Sequence, residues 1–256
     1  MKLGILDWGI GGVGFYALAR ARLPELPIVY WSDAGAVPYG KLAPDEMARR
    51  VVSIARWLKR EAGVTHLAIA CNAASSVLPK LDLADETLPD ITGVIAHGAR
   101  AALQRTMPGQ TIGVVGGRRT VLSGAYRRAL AGRAVRQRIA QPISARVEAG
   151  DLNSEGLRQE LDAIMAPLRE VDLLVLACTH YPALRGAFAE RAPRAEIVDP
   201  AAELLAWAMD AWKLDTAGSG TGGARDHVLT TGDVAATARS AQLAFGMEID
   251  PVSISF

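Results

Sequence analysis

Two stretches decide the fold: His66-Leu-Ala-Ile-Ala-Cys71-Asn72-Ala73-Ala74 and Leu173-Leu-Val-Leu-Ala-Cys178-Thr179-His180-Tyr181. Each is an apolar run closed by Ala-Cys and a small polar residue. Short, continuously apolar runs suit parallel strands buried on both faces. A residue just past such a run lies at the strand's carboxyl end, where open α/β sheets bind their ligands. The chain has two cysteines, and both occupy this position.

Further out, apolar or β-branched runs at 3–6, 28–31, 91–94, 112–115 and 196–198 alternate with helical patterns at 45–60, 96–105, 123–130, 155–168, 184–191, 201–212 and 233–245. In the first of these helices Val52, Ile54, Ala55 and Leu58 recur at helical spacing behind Pro44, a favoured first-turn residue. The alternation predicts an α/β fold with parallel sheets. Two cysteine-tipped strands in separate halves predict two similar parallel-sheet α/β domains facing each other across a cleft. The first is expected over 1–94 plus 205–256 and the second over 95–204, with the active site between them. Residues 218–223, Gly-Ser-Gly-Thr-Gly-Gly, read as a flexible surface connection.

With 256 residues and a formal net charge of +1, the chain can bury a large core and offers no broad basic field for nucleic acid or an anionic membrane. The amino terminus runs straight into a strand pattern, without an apolar signal core, and a cytoplasmic location is expected. A structural disulfide is not expected in that reducing compartment, and two cysteines cannot complete a zinc site alone.

Gly9-Ile-Gly11-Gly12-Val-Gly14 matches the spacing of a dinucleotide-binding loop, with Asp33 about 20 residues further on. Asp7 argues against that reading, because its carboxylate would face the pyrophosphate. A glycine turn serving strand-to-helix packing is the competing explanation.

Inverting an α-carbon requires proton removal on one face and delivery on the other, a task for two groups. One thiolate as base and one thiol as acid satisfy it. Either cysteine alone would read as a small buried hydrophobe, but a matched pair in matched motifs points to chemistry. His180, two residues past Cys178, could tune that thiol or be structural. Asp7 could receive a substrate ammonium, raise the proton affinity of Cys71, or cap the glycine loop.

Taken together, the motifs resemble the glutamate racemase branch of the aspartate/glutamate racemase superfamily. The matching stretches are Asp7 with Gly11-Gly12, Asp33 with Val37-Pro38-Tyr39-Gly40, Ala70-Cys71-Asn72, Gly113-Val114 with Thr120-Val121 and Ser123, Glu148 before Gly150, Cys178-Thr179-His180-Tyr181-Pro182, and Thr231-Gly232-Asp233. The resemblance implies a cofactor-independent racemase in which Cys71 deprotonates the D-enantiomer and Cys178 the L-enantiomer. It implies that Asp7 and His180 assist the thiols, with Glu148 a further helper. Asn72 and Thr120 would hold the α-carboxylate, Thr179 the amino group, and the Tyr39-Gly40 backbone after Pro38 the side-chain carboxylate. A small amino-acid substrate, a homodimer and a role supplying D-glutamate for peptidoglycan follow from the same resemblance.

The chain departs from that pattern at Trp8, Ala73 and Gly117, where the family carries hydroxyl residues. Each lost hydrogen bond to a charged group could remove roughly 1.5 to 3 kcal/mol of binding. Trp8 would narrow the pocket unless it turns elsewhere. Arg118 and Arg119 could supply carboxylate contacts instead, or be solvated charges at a helix start. A racemase of another amino acid, or a catalytically weak binding or regulatory paralogue, are the alternative readings these departures motivate.

Overall fold

The computed structural model describes residues 1–214 and 226–256; the glycine-rich stretch at 218–223 lies outside them. Among the described residues, ten strands build two sheets. The first holds β1 (Leu3–Asp7), β2 (Ile28–Ser32), β3 (His66–Ile69) and β4 (Asp90–Gly93), and the second β5 (Thr111–Gly116), β6 (Ala134–Ile139), β7 (Leu173–Ala177) and β8 (Glu196–Val198). Strands β9 (His227–Thr230) and β10 (Pro251–Ser253) return to the first sheet, giving the order β10-β9-β2-β1-β3-β4 against β6-β5-β7-β8. Every pairing is parallel. Two parallel-sheet α/β units are therefore present. Among the described residues, no helix is long and apolar enough to cross a membrane.

The register sets the site. Asp7 pairs with Ser32 and Leu6 with Ile69, so the chain leaves β3 toward Cys71 beside the end of β1. The Ala70 and Cys71 N–H groups both donate to the Leu6 carbonyl, at 3.0 and 3.3 Å. In the second sheet Gly116 pairs with Ala177, and Cys178 follows directly.

The helix Pro44–Ala62 starts on its proline, carries Asp45 and Glu46 in its first turn, and ends at Gly63 with φ of 66°. These are the expected signals of helix start, dipole and stop. It buries Met47, Val51, Ile54, Ala55 and Leu58; Val51 takes the inward position expected for Val52. The helix expected over 123–130 is broken at Gly124, whose φ of 67° separates Arg118–Leu122 from Ala125–Ala129. A left-handed residue cannot continue a right-handed helix.

One apolar cluster joins inner residues of both sheets, from Leu3, Ile5 and Tyr30 to Val115, Leu174 and Leu176. Separate clusters cover the other faces, around Trp31 and Leu67 in the first unit and Val114 and Val175 in the second. The helix Pro200–Ala211 runs unbroken across residues 204 and 205 and packs on both Val94–Arg105 and Val13–Arg22.

Candidate active site

The first half of the site grows from the ends of β1 and β3. Asp7 is 1% exposed, and its Oδ2 accepts the Gly12 N–H at 2.9 Å, so it caps the glycine loop while remaining beside Cys71. Burial raises the pKa of this carboxyl, partly offset by the charge of His180 and the Gly12 N–H. Burial also pushes the Cys71 thiol well above its ordinary range; Asp7 adds to the rise, while the N–H groups of Ala74 and Trp8 oppose it. In this pair, charge on either member is desolvated and repels charge on the other. The Asp7–Cys71 side therefore retains a proton.

The second half grows from the end of β7. The strand stops at Ala177, and His180 adopts helical backbone angles, so a turn rather than continued strand geometry brings its Nδ1 to 3.6 Å from Cys178 Sγ. Its Nε2 lies 2.6 Å from Glu148 Oε1. Burial works against charge on this imidazole, yet the hydrogen bonds to Cys178 and Glu148 hold its pKa well above the ordinary value. Glu148 comes from the helix Gln141–Glu148, which the residue pattern did not predict. Ser144, one turn earlier on the same helix, places its Oγ 3.4 Å from Cys178 Sγ. Sequence reasoning missed this contact, because nothing in the local pattern brings residue 144 to residue 178.

The halves meet directly. Thr179 Oγ1 donates to Asp7 Oδ1 at 3.4 Å, and the Tyr126 hydroxyl donates to Asn72 Oδ1 at 3.0 Å. Electrostatic coupling of Cys71 to Cys178 raises the former's pKa further, which places the two sulfurs in one field. The glycine loop is what lets this happen. A Cβ on Gly11 would sit 2.2 Å from Thr179 Oγ1 and 2.9 Å from His180 Cε1, and one on Gly9 would sit 2.7 Å from Glu148 Oε1. The loop is packed against the second cysteine motif and faces two carboxylates, a poor seat for a pyrophosphate.

Asp33 likewise serves the fold rather than a ribose. Fully buried, it accepts from the Tyr39 hydroxyl at 2.7 Å, the Thr231 hydroxyl at 3.1 Å and both Nε and an Nη of Arg50. The Tyr39 side chain is thereby turned inward, while Pro38 is exposed and Gly40 half-buried. Replacing Asp33 by Ala leaves the Arg50 guanidinium and two hydroxyls without their acceptor. A loss of about 3 kcal/mol in unfolding free energy is expected, read from urea titration.

Trp8 directs its indole N–H onto the Ala36 carbonyl at 3.2 Å and packs on the cluster containing Tyr39, Leu42 and Cys71. Ala73 lies in the short helix Asn72–Ser75, its carbonyl accepting from the Ser76 hydroxyl at 2.6 Å. At Gly117 the missing side chain makes room for Gln141, whose Oε1 accepts the Arg118 N–H at 3.0 Å and would lie 3.1 Å from a Cβ on residue 117. Arg118 is exposed, whereas Arg119 reaches across to donate to the Leu42 carbonyl of the first unit. Thr120, beside it, is buried at 2% exposure.

The sequence model of the Asp/Glu/Hydantoin racemase family matches residues 15–208. A glutamate racemase from Gloeobacter violaceus is 35% identical over 253 residues, covering 94% of this chain and 91% of that protein. The crystal structure of a glutamate racemase from Thermus thermophilus, in complex with beta-chloro-D-alanine, superposes with a TM-score of 0.87 at 29% identity, covering 99% of this chain and 96% of that one. A glutamate racemase from Bacillus anthracis gives a TM-score of 0.86 at 27% identity, covering 99% and 97%. With its two parallel sheets and paired cysteine motifs, the chain belongs to the Asp/Glu/Hydantoin racemase family.

Proposed function

We propose that this protein is a glutamate racemase that interconverts L- and D-glutamate by two-base proton transfer through Cys71 and Cys178. The observation that carries the reading is the pair of thiols at the carboxyl ends of β3 and β7, each with its own ionisable neighbour in one connected network. In the L-to-D direction the Cys178 thiolate takes the α-proton, leaving the electron pair on the α-carbon and its carboxylate. Cys71 then delivers its proton to the opposite face. The product leaves Cys178 protonated and Cys71 as thiolate, the form ready for the D-enantiomer.

The charge arrangement supports this division. His180, whose imidazole is held protonated, lies 3.6 Å from the Cys178 sulfur, while burial beside Asp7 favours a proton on Cys71. Asn72 and Thr120 are proposed to hold the α-carboxylate and Thr179 the ammonium, with Asp7 as a counter-charge. The main chain at Tyr39-Gly40 is proposed to hold the side-chain carboxylate. Trp8 and Ala73 border the Cys71 side of this pocket. A cytoplasmic homodimer providing D-glutamate for peptidoglycan is the setting we propose for the activity.

The test is incubation with each enantiomer of glutamate in deuterated water, following α-proton loss by NMR together with optical rotation. Exchange with inversion is the expected result. No exchange with glutamate at high enzyme concentration overturns the assignment, and exchange with another amino acid alone relocates the substrate.

A second expectation concerns pH. Glu148 helps hold the proton on His180, so Glu148→Gln lets the imidazolium deprotonate at lower pH. The alkaline limb of kcat/KM, followed for L-glutamate, is expected to move toward acid. An unmoved limb would show that His180 does not govern it.

A further inference from the structure

The helix Gln141–Glu148 approaches Cys178 through two side chains one turn apart. Residues four apart on a helix share a face. Glu148 acts on the sulfur through His180, whereas Ser144 touches it directly at 3.4 Å. Ser144 is buried, at 8% exposure, so solvent does not compete freely for its hydroxyl. The Tyr181 hydroxyl, which also neighbours Ser144 and Cys178, donates to the Ala140 carbonyl at 2.8 Å. Among the described residues, Ser144 Oγ and His180 Nδ1 lie within hydrogen-bond geometry of Cys178 Sγ, at 3.4 and 3.6 Å.

We propose that Ser144 is a positioning residue for the second base: its hydroxyl donates to the Cys178 thiolate and fixes the direction in which the sulfur points. The consequence for turnover rests on the racemase reading above. A sulfur held from two sides, by Ser144 and by His180, keeps one lone pair aimed at the substrate instead of sampling rotamers. The Cys71 sulfur is held differently, by main-chain N–H groups and a carboxylate neighbour. The two bases are therefore matched in position and unequal in support.

The charged and titratable groups around Cys178 are His180 on its own segment, Glu148 behind it, Tyr181, Cys71 from the facing strand end, and Asp7, bonded to the adjacent Thr179. Of these, only Cys71 would confuse a thiol measurement. It is removed by working in a Cys71→Ser background, which leaves one cysteine in the chain.

The experiment is the rate of iodoacetamide alkylation against pH, with and without Ser144→Ala, and it needs no turnover. Loss of one charge-assisted hydrogen bond is expected to raise the midpoint by about one pH unit. Ser144→Thr, which keeps the hydroxyl, is expected to return it. A midpoint unchanged by Ser144→Ala overturns the proposal, as does a rise that Ser144→Thr fails to reverse, since that would be packing alone. In the enzyme with both cysteines, Ser144→Ala is expected to lower kcat by about tenfold with KM for L-glutamate little changed. If alkylation responds as expected and no glutamate exchange occurs in deuterated water, the contact stands and the racemase reading fails.

Discussion

Replacing either Cys71 or Cys178 by Ser is expected to reduce glutamate racemisation by about 10²- to 10⁴-fold, the range carried by a positioned proton-transfer group. A serine hydroxyl is far less acidic than a thiol, so it neither ionises to a base nor gives up its proton at the rate the reaction requires. The two directions must fall together. Free L- and D-glutamate are mirror images with an equilibrium constant of one, which forces kcat/KM for the two enantiomers to be equal in every variant. What distinguishes the cysteines is single-face exchange. With Cys178 replaced, the Cys71 side can still exchange the D-enantiomer's α-proton with solvent without inverting it, and with Cys71 replaced the L-enantiomer behaves likewise. NMR in deuterated water reads both quantities at once. Full racemisation by either variant would remove the two-base mechanism.

The second large effect is expected at Gly11. Its Cα lies so close to the second cysteine motif that an added methyl group would sit 2.2 Å from Thr179 Oγ1, 2.8 Å from Thr179 Cβ and 2.9 Å from His180 Cε1. Neither residue is free to retreat. Thr179 is tied to Asp7 and His180 to Glu148, and both are buried. Gly11→Ala therefore pushes the Cys178 side of the site away from the Cys71 side. Misplacement of reacting groups by about 1 Å can cost about 10²-fold in rate, and kcat is expected to fall by that order. Steady-state kinetics alongside a circular dichroism melt checks this. Activity within a factor of two of the parent would mean that the halves are less tightly seated than these distances require.

The central strands were legible because their burial leaves little choice of residue. β1, β3, β5 and β7 are apolar runs, and both cysteines project from their ends as the repeated Ala-Cys pattern implied. Of the strands that escaped, β9 lies between β10 and β2, while β6 and β10 lie at sheet edges. β6 reads Ala-Val-Arg-Gln-Arg-Ile, with Arg136 and Arg138 on a strand that alternates exposed and half-buried. Charges of that kind protect an edge from pairing with another chain, and they also hide it from a search for apolar runs. β10 is a three-residue edge strand opening on Pro251.

The proposed acid/base residues were legible as residue types, but their wiring was not. Glu148 was reached only through family resemblance, because its helix carries no strong periodic signal. Ser144 was invisible, since a serine in a helix has no mark that says it faces a sulfur. Asp33 fitted a ribose-binding spacing on paper. Its partners Tyr39, Arg50 and Thr231 come together only when β2 and β9 pair.

The apolar cluster that runs from Leu3 and Tyr30 into Val115 and Leu174 bears on modularity. Two units that share side chains in one core cannot lose structure independently without exposing that surface to water. Calorimetry should then record one melting transition, with matching calorimetric and van't Hoff enthalpies. Neither unit should survive as a separately expressed fragment. The distance between the two sulfurs is accordingly inherited from hydrocarbon packing deep in the molecule, and on the proposed mechanism core substitutions far from either sulfur become a route to altering the rate.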